Sequence, residues 1–123
     1  MRHNEEHLQE VCVRWFDLQY PQYRLLLHHS PNGGRRNVRE AARFKKMGVR
    51  AGFPDLILLL PCHQYHYLAI ELKTCVGRQS EHQSSMMMAM EEHGGMYVIV
   101  RSIEDFIGIV NKWVDNSKSE ITT

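Results

Sequence analysis

Leu68-Ala69-Ile70-Glu71-Leu72-Lys73-Thr74 (LAIELKT, residues 68–74) has the texture of a buried strand interrupted by two charges. Side chains alternate along a strand, so Tyr67, Ala69, Glu71 and Lys73 fall on one face and Leu68, Ile70 and Leu72 on the other. Acid and amine therefore converge. Upstream, residues 55–60 (DLILLL) are apolar on both faces, strand-sized and closed by Pro61. The intervening PCHQYH is of hairpin length, and a hairpin symmetric about His63 sets Asp55 opposite Glu71. Directly opposed residues have Cβ atoms roughly 4.5–5.5 Å apart, so two carboxylates meet on the face that also carries Ile57 and Ala69.

Opposed like charges destabilise a sheet unless something positive lies between them. A divalent cation meets that need. All-oxygen ligation completed by water suits Mg²⁺ or Mn²⁺, whereas zinc favours His and Cys. With Lys73 alongside, the set can cleave a phosphodiester: the ion polarises the phosphate and lowers the pKa of water, and the amine positions that water or stabilises developing charge. The competing reading is a surface ion pair of Lys73 with Glu71 or Asp55, the ordinary meaning of a bare ExK on a strand. Pro54-Asp55 at the strand start, the register, and a basic block just upstream favour a site.

The rest of the chain supplies a frame. Asn4 is a candidate cap for a helix whose apolar positions Leu8, Val11, Cys12, Trp15 and Phe16 recur every three or four residues and end before Tyr20-Pro21. That face, projected back one turn, contains Glu5 and not Glu6. Residues 24–28 form a strand candidate, followed by the loop SPNGGRRN and a basic helix over 38–47 that stops at Gly48. SEHQSSMMMAMEEH carries a Ser80–Gln83 capping box and ends at Gly94-Gly95. A strand over 96–100 and an amphipathic helix from Ser102 to about Val114 follow, then a polar tail. The order α-β-α-β-β-α-β-α predicts an α/β fold of the α+β type, a mixed sheet flanked by helices. One domain over 1–116 with a tail at 117–123 is expected.

Composition bounds the possibilities without choosing among them. The chain has 123 residues, 43% hydrophobic and 24% charged, enough for one core. No apolar run approaches the roughly 20 residues of a membrane helix, and no signal peptide is evident, so a cytoplasmic setting without membrane attachment is the default expectation. Cys12, Cys62 and Cys75 are odd in number and form no CxxC pair; reduced thiols are expected. Net charge is only +1, yet Arg35, Arg36, Arg39, Arg43, Lys45, Lys46 and Arg50 cluster against the single acid Glu40. That block suits a polyanion, or simply a solvated helix face. Asn32, Gly33 and Gly34 can bring backbone amides to a phosphate, or make an ordinary turn.

Pro54-Asp55 with Glu71-Leu72-Lys73 resembles the pattern of the PD-(D/E)XK nuclease superfamily. The flanking HHSPNGGRR, ARFKKMGVRAGFPDLILLL and YLAIELKTCVGRQSEHQ are similar to the virus-type replication-repair nuclease (VRR-NUC) family, over residues 5–114. The resemblance implies a restriction-endonuclease-like core with Asp55 and Glu71 as metal-binding carboxylates, the Leu72 carbonyl as a further ligand and Lys73 as the catalytic lysine. It also implies a supporting role for Gln83, a first-helix acid at Glu5 (Glu6 is the alternative), and substrate contact by Lys45 and Arg50. The implied reaction is Mg²⁺- or Mn²⁺-dependent hydrolysis of DNA to 5′-phosphate and 3′-hydroxyl ends. Small stand-alone members, of a phage-encoded type, resemble Holliday-junction resolvases that act on branched DNA as homodimers.

Four other readings compete. A structure-blind nicking nuclease shares all these motifs, and a binding module of the same fold would do no chemistry. An HNH-type site at His28, His29 and Asn32 lacks the second helical histidine. Cys62, His63 and His66 offer three soft-metal ligands on a turn without a fourth.

Overall fold

The computed structural model describes residues 2–31, 37–74 and 77–121. Asn32, Gly33, Gly34, Arg35, Arg36 and Cys75 lie outside the described residues. Helix α1 (Arg2–Gln19) leads through a 3-10 turn (Pro21–Leu26) into β1 (Leu27–His29); α2 (Val38–Lys46), β2 (Leu56–Leu58), β3 (Tyr67–Leu72), α3 (Glu81–Glu92), β4 (Gly95–Val100) and α4 (Ile103–Ile121) follow. The sheet order is β1-β2-β3-β4, antiparallel for the first two pairings and parallel for β3 with β4. The fold is thus α+β, a mixed sheet flanked by helices. Helix α3 makes the crossover that a parallel pair requires.

The two faces of the sheet are covered differently. On one, Cys12 and Phe16 of α1 and Phe106, Val110 and Val114 of α4 close over Leu56, Leu58, Leu68, Ile70 and Leu72. On the other, Met86, Met87 and Met90 of α3 pack with Ala69, Tyr97 and Ile57. Met88 points away, 64% exposed, so the methionine run divides between core and surface as a helical period demands. Central β3 is buried on both sides, and Glu71 is carried inside with it.

Four boundaries differ from the sequence pattern. Asn4 lies inside α1 and does not cap it. The 24–28 strand begins only at Leu27, because Pro21 starts a 3-10 turn that continues through Leu26 and leaves Leu25 93% exposed. The 55–60 strand contracts to Leu56–Leu58, with Leu59 N–H still donating to the Leu26 carbonyl at 2.9 Å. Helix α4 continues past Val114 into the expected tail, because Ser117 is buried and its hydroxyl donates to the Pro61 carbonyl at 2.7 Å. Nearby, Trp113 Nε1–H donates to the Leu60 carbonyl, also at 2.7 Å, tying the same helix to the hairpin.

Two glycines with positive φ shape the approach to β2. Gly48 (φ +105) ends α2, its N–H reaching the Lys45 carbonyl at 3.1 Å, in the manner of a helix-terminating glycine. Gly52 (φ +82) presses on the start of α3, where a Cβ would stand 2.4 Å from the His82 carbonyl carbon and 2.7 Å from Gln83 N. Nothing lies within 4 Å of a Cβ at Gly48. Gly48→Ala should therefore cost about 1–2 kcal/mol, the backbone term alone. Gly52→Ala should cost more, because helix backbone must also move. Urea denaturation of the two variants checks this, and equal losses would show that the Gly52 contact contributes nothing.

Candidate active site

The register between β2 and β3 runs Leu56↔Ile70, Ile57↔Ala69 and Leu58↔Leu68, and one further step places Asp55 across from Glu71. The ladder ends there because Asp55 Oδ2 accepts the Leu72 N–H at 2.7 Å, a side chain replacing a backbone partner. The Asp55 carbonyl faces His29 Nδ1 at 2.7 Å, which fixes this residue against β1 as well. Burial raises the Asp55 pKa; the Leu72 N–H opposes that, Glu71 and then Glu5 add to it, and His29 lowers it.

Glu71 is 0% exposed. Its Oε1 accepts a hydrogen bond from the Tyr97 hydroxyl. Its Oε2 is buried with no hydrogen-bond partner, and lies 3.7 Å from Lys73 Nζ. Lys73 is itself mostly enclosed, its side chain 14% exposed. An interior carboxylate oxygen without a donor is costly, so its persistence beside a second acid points to a ligand. Asp55, Glu71 and Lys73 are thus gathered on the α3 side of the sheet, at the end of the β2–β3 hairpin remote from its turn.

Glu5 is half-buried and its charge reaches Asp55, whereas Glu6 is exposed. Gln83 sits in the α3 capping box, its Oε1 accepting the Ser80 N–H at 2.9 Å while its own N–H reaches Ser80 Oγ at 3.1 Å. The backbone of His82 and Gln83 at the start of α3 stands against Gly52. Lys45 and Arg50 are exposed. Arg50 borders a groove of about 500 Å³ shared with Phe44, Met47, Val49 and Phe53, close in sequence to Asp55.

Cys12 and Cys62 are buried, and burial pushes the Cys12 thiol up to about 12, so it stays protonated. Two side chains at the site were not found from sequence, Tyr97 and Gln79, which lies beside the Tyr97 hydroxyl, and His29, weighed only for an HNH-type site, instead meets the Asp55 carbonyl. Tyr97 had one available signal: a tyrosine inside a strand buried on both faces must find a polar partner for its hydroxyl.

The donor set fits a hard divalent cation. Among the described residues no three His, Cys, Asp or Glu side chains gather into a ready-made cage. Two carboxylates, a backbone carbonyl and water are what Mg²⁺ or Mn²⁺ accepts, since such ions keep several waters.

Comparison with known proteins bears on the fold and the family. The family model for the VRR-NUC domain matches residues 3–104. A solved structure titled VRR_NUC domain protein superposes with a TM-score of 0.79 at 29% identity, over 91% of this chain and 88% of that one. No curated protein matches. Among the described residues no helix is long and apolar enough to cross a membrane.

Proposed function

This chain belongs to the VRR-NUC family, nucleases of the PD-(D/E)XK type, and we propose that it hydrolyses DNA phosphodiester bonds with the help of Mg²⁺ or Mn²⁺. The observation that carries the proposal is the orphaned Glu71 Oε2, enclosed beside Asp55 and 3.7 Å from the Lys73 ammonium. Asp55, Glu71 and the Leu72 carbonyl hold the ion, with Glu5 adding negative charge from α1. When bound, the ion supplies positive charge to the phosphate and acidifies water.

Lys73 holds the attacking water and donates hydrogen bonds to the phosphate as negative charge grows on it. Water oxygen bonds to phosphorus as the bond to the 3′ oxygen breaks. The proton lost by water passes to solvent, and the leaving oxygen takes one from it, which leaves a 5′-phosphate and a 3′-hydroxyl. Gln83 keeps the α3 start in place, and Lys45 and Arg50 steer the backbone of the substrate. Arg50 lines the groove that leads away from Phe53.

The proposal extends to branched DNA cut by a homodimer. Leu18 at 77% and Leu25 at 93% exposure are apolar side chains that a second copy could cover. The test is a cleavage panel of four-way junction, flap, duplex and single strand, run with a mass measurement in solution. Dimeric protein that cuts junctions best in Mg²⁺ or Mn²⁺, and stops in EDTA, is expected. Equal cutting of all substrates would favour a structure-blind nuclease. DNA binding without cutting in any divalent ion would identify a binding module.

A further inference from the structure

Resting on the nuclease reading above, we propose that Tyr97, held by Gln79, is a positioning residue that makes Glu71 a one-oxygen ligand and so favours small six-coordinate cations over calcium. The two oxygens of Glu71 have separate fates. Oε1 is occupied by the Tyr97 hydroxyl; Oε2 has no donor and turns toward Lys73. The parallel register explains the reach. Tyr97 pairs with Ala69, one same-face step before Glu71, and the small alanine side chain leaves room for the phenol to lie along β3. Tyr97 is 3% exposed, so no water competes for its hydroxyl.

The hydroxyl is held in turn. Gln79 lies beside it, with Oε1 accepting from Ser84 Oγ at 3.1 Å and Nε2 directed to Met87 Sδ at 3.5 Å. A chain of contacts therefore runs from α3 through Gln79 and Tyr97 to the carboxylate. With Tyr97 on one lone pair of Oε1, chelation of one ion by both oxygens of Glu71 would have to use the other lone pair of Oε1 and turn the carboxylate against the Tyr97 hydrogen bond, straining a buried contact. Ca²⁺ takes six to eight oxygens and uses bidentate carboxylates readily, whereas Mg²⁺ demands near-octahedral, single-oxygen contacts. Fixing one oxygen thus disfavours the larger ion.

The test titrates the full chain, without DNA, with Mg²⁺ and with Ca²⁺, reading each affinity from the rise in melting temperature. Tyr97→Phe should weaken Mg²⁺ binding about tenfold, the scale of losing a group that orients a ligand, while Ca²⁺ binding holds or tightens. Gln79→Met should shift the ratio the same way by less, and it carries the test if Tyr97→Phe fails to fold. Parallel losses for both cations, or an unchanged ratio in the variants, would overturn the proposal. A parent that responds to neither cation would instead sink the nuclease reading itself.

Discussion

Lys73→Met should lower the rate of DNA cleavage by about a thousandfold, the range seen when one donor to a developing charge is removed, with DNA affinity within a few-fold of the parent. Lys73 contributes a single ammonium at the bottom of the site, whereas binding draws on many surface charges. The same change should destabilise the metal-free protein by about 1–3 kcal/mol, because Glu71 Oε2, already without a hydrogen bond, loses the neighbouring Lys73 ammonium. Added Mn²⁺ should restore most of that loss. Nicking assays, DNA binding by anisotropy and melts in EDTA against Mn²⁺ measure the three effects. Weakened DNA binding in step with lost cleavage would mean that Lys73 is a contact residue only.

Asp55→Asn should be as inactive, yet shift stability the other way. Burial raises the Asp55 pKa, so the folded chain prefers the protonated acid. For a raised carboxylate, the contribution favourable to folding is full below the unfolded pKa of about 3.9 and is lost as pH climbs through the folded value. An ionised Asp55 is therefore a cost to the folded parent that asparagine removes, while the amide oxygen still accepts the Leu72 N–H. The variant should melt higher than the parent at pH 7 in EDTA, and the difference should close on acidification. Mn²⁺ should raise the parent's melting temperature and leave the variant's nearly unmoved. A variant less stable than the parent at pH 7 would show that the carboxylate serves folding and is not a ligand held at a cost.

Much of this was legible in LAIELKT and DLILLL. The period-two pattern set which residues share a face, and hairpin symmetry about His63 set the register, because both are dictated by backbone geometry. The Ser80–Gln83 capping box was equally readable, since it is a local exchange of donors. The burial of Glu71 was not. Its surroundings come from β4 and α3, and side-chain alternation in one strand says nothing about what covers it. The same holds for Tyr97 and Gln79, which meet Glu71 only through the parallel crossover. Helix α4 ran longer than its apolar pattern because one tertiary hydrogen bond, Ser117 to Pro61, supports polar turns. The Arg24–His28 strand starts only at Leu27, because Pro21 had already begun a 3-10 turn that takes in Leu25 and Leu26.

Anomalous diffraction at the manganese edge, from crystals soaked in Mn²⁺, examines the cation site without relying on activity. The expected result is a peak bridging Glu71 Oε2 and the Asp55 carboxylate, with Lys73 Nζ beside it and Tyr97 still on Oε1. Density for manganese only at other surface sites, with Glu71 Oε2 still bare, would contradict a metal-dependent nuclease centred on these residues.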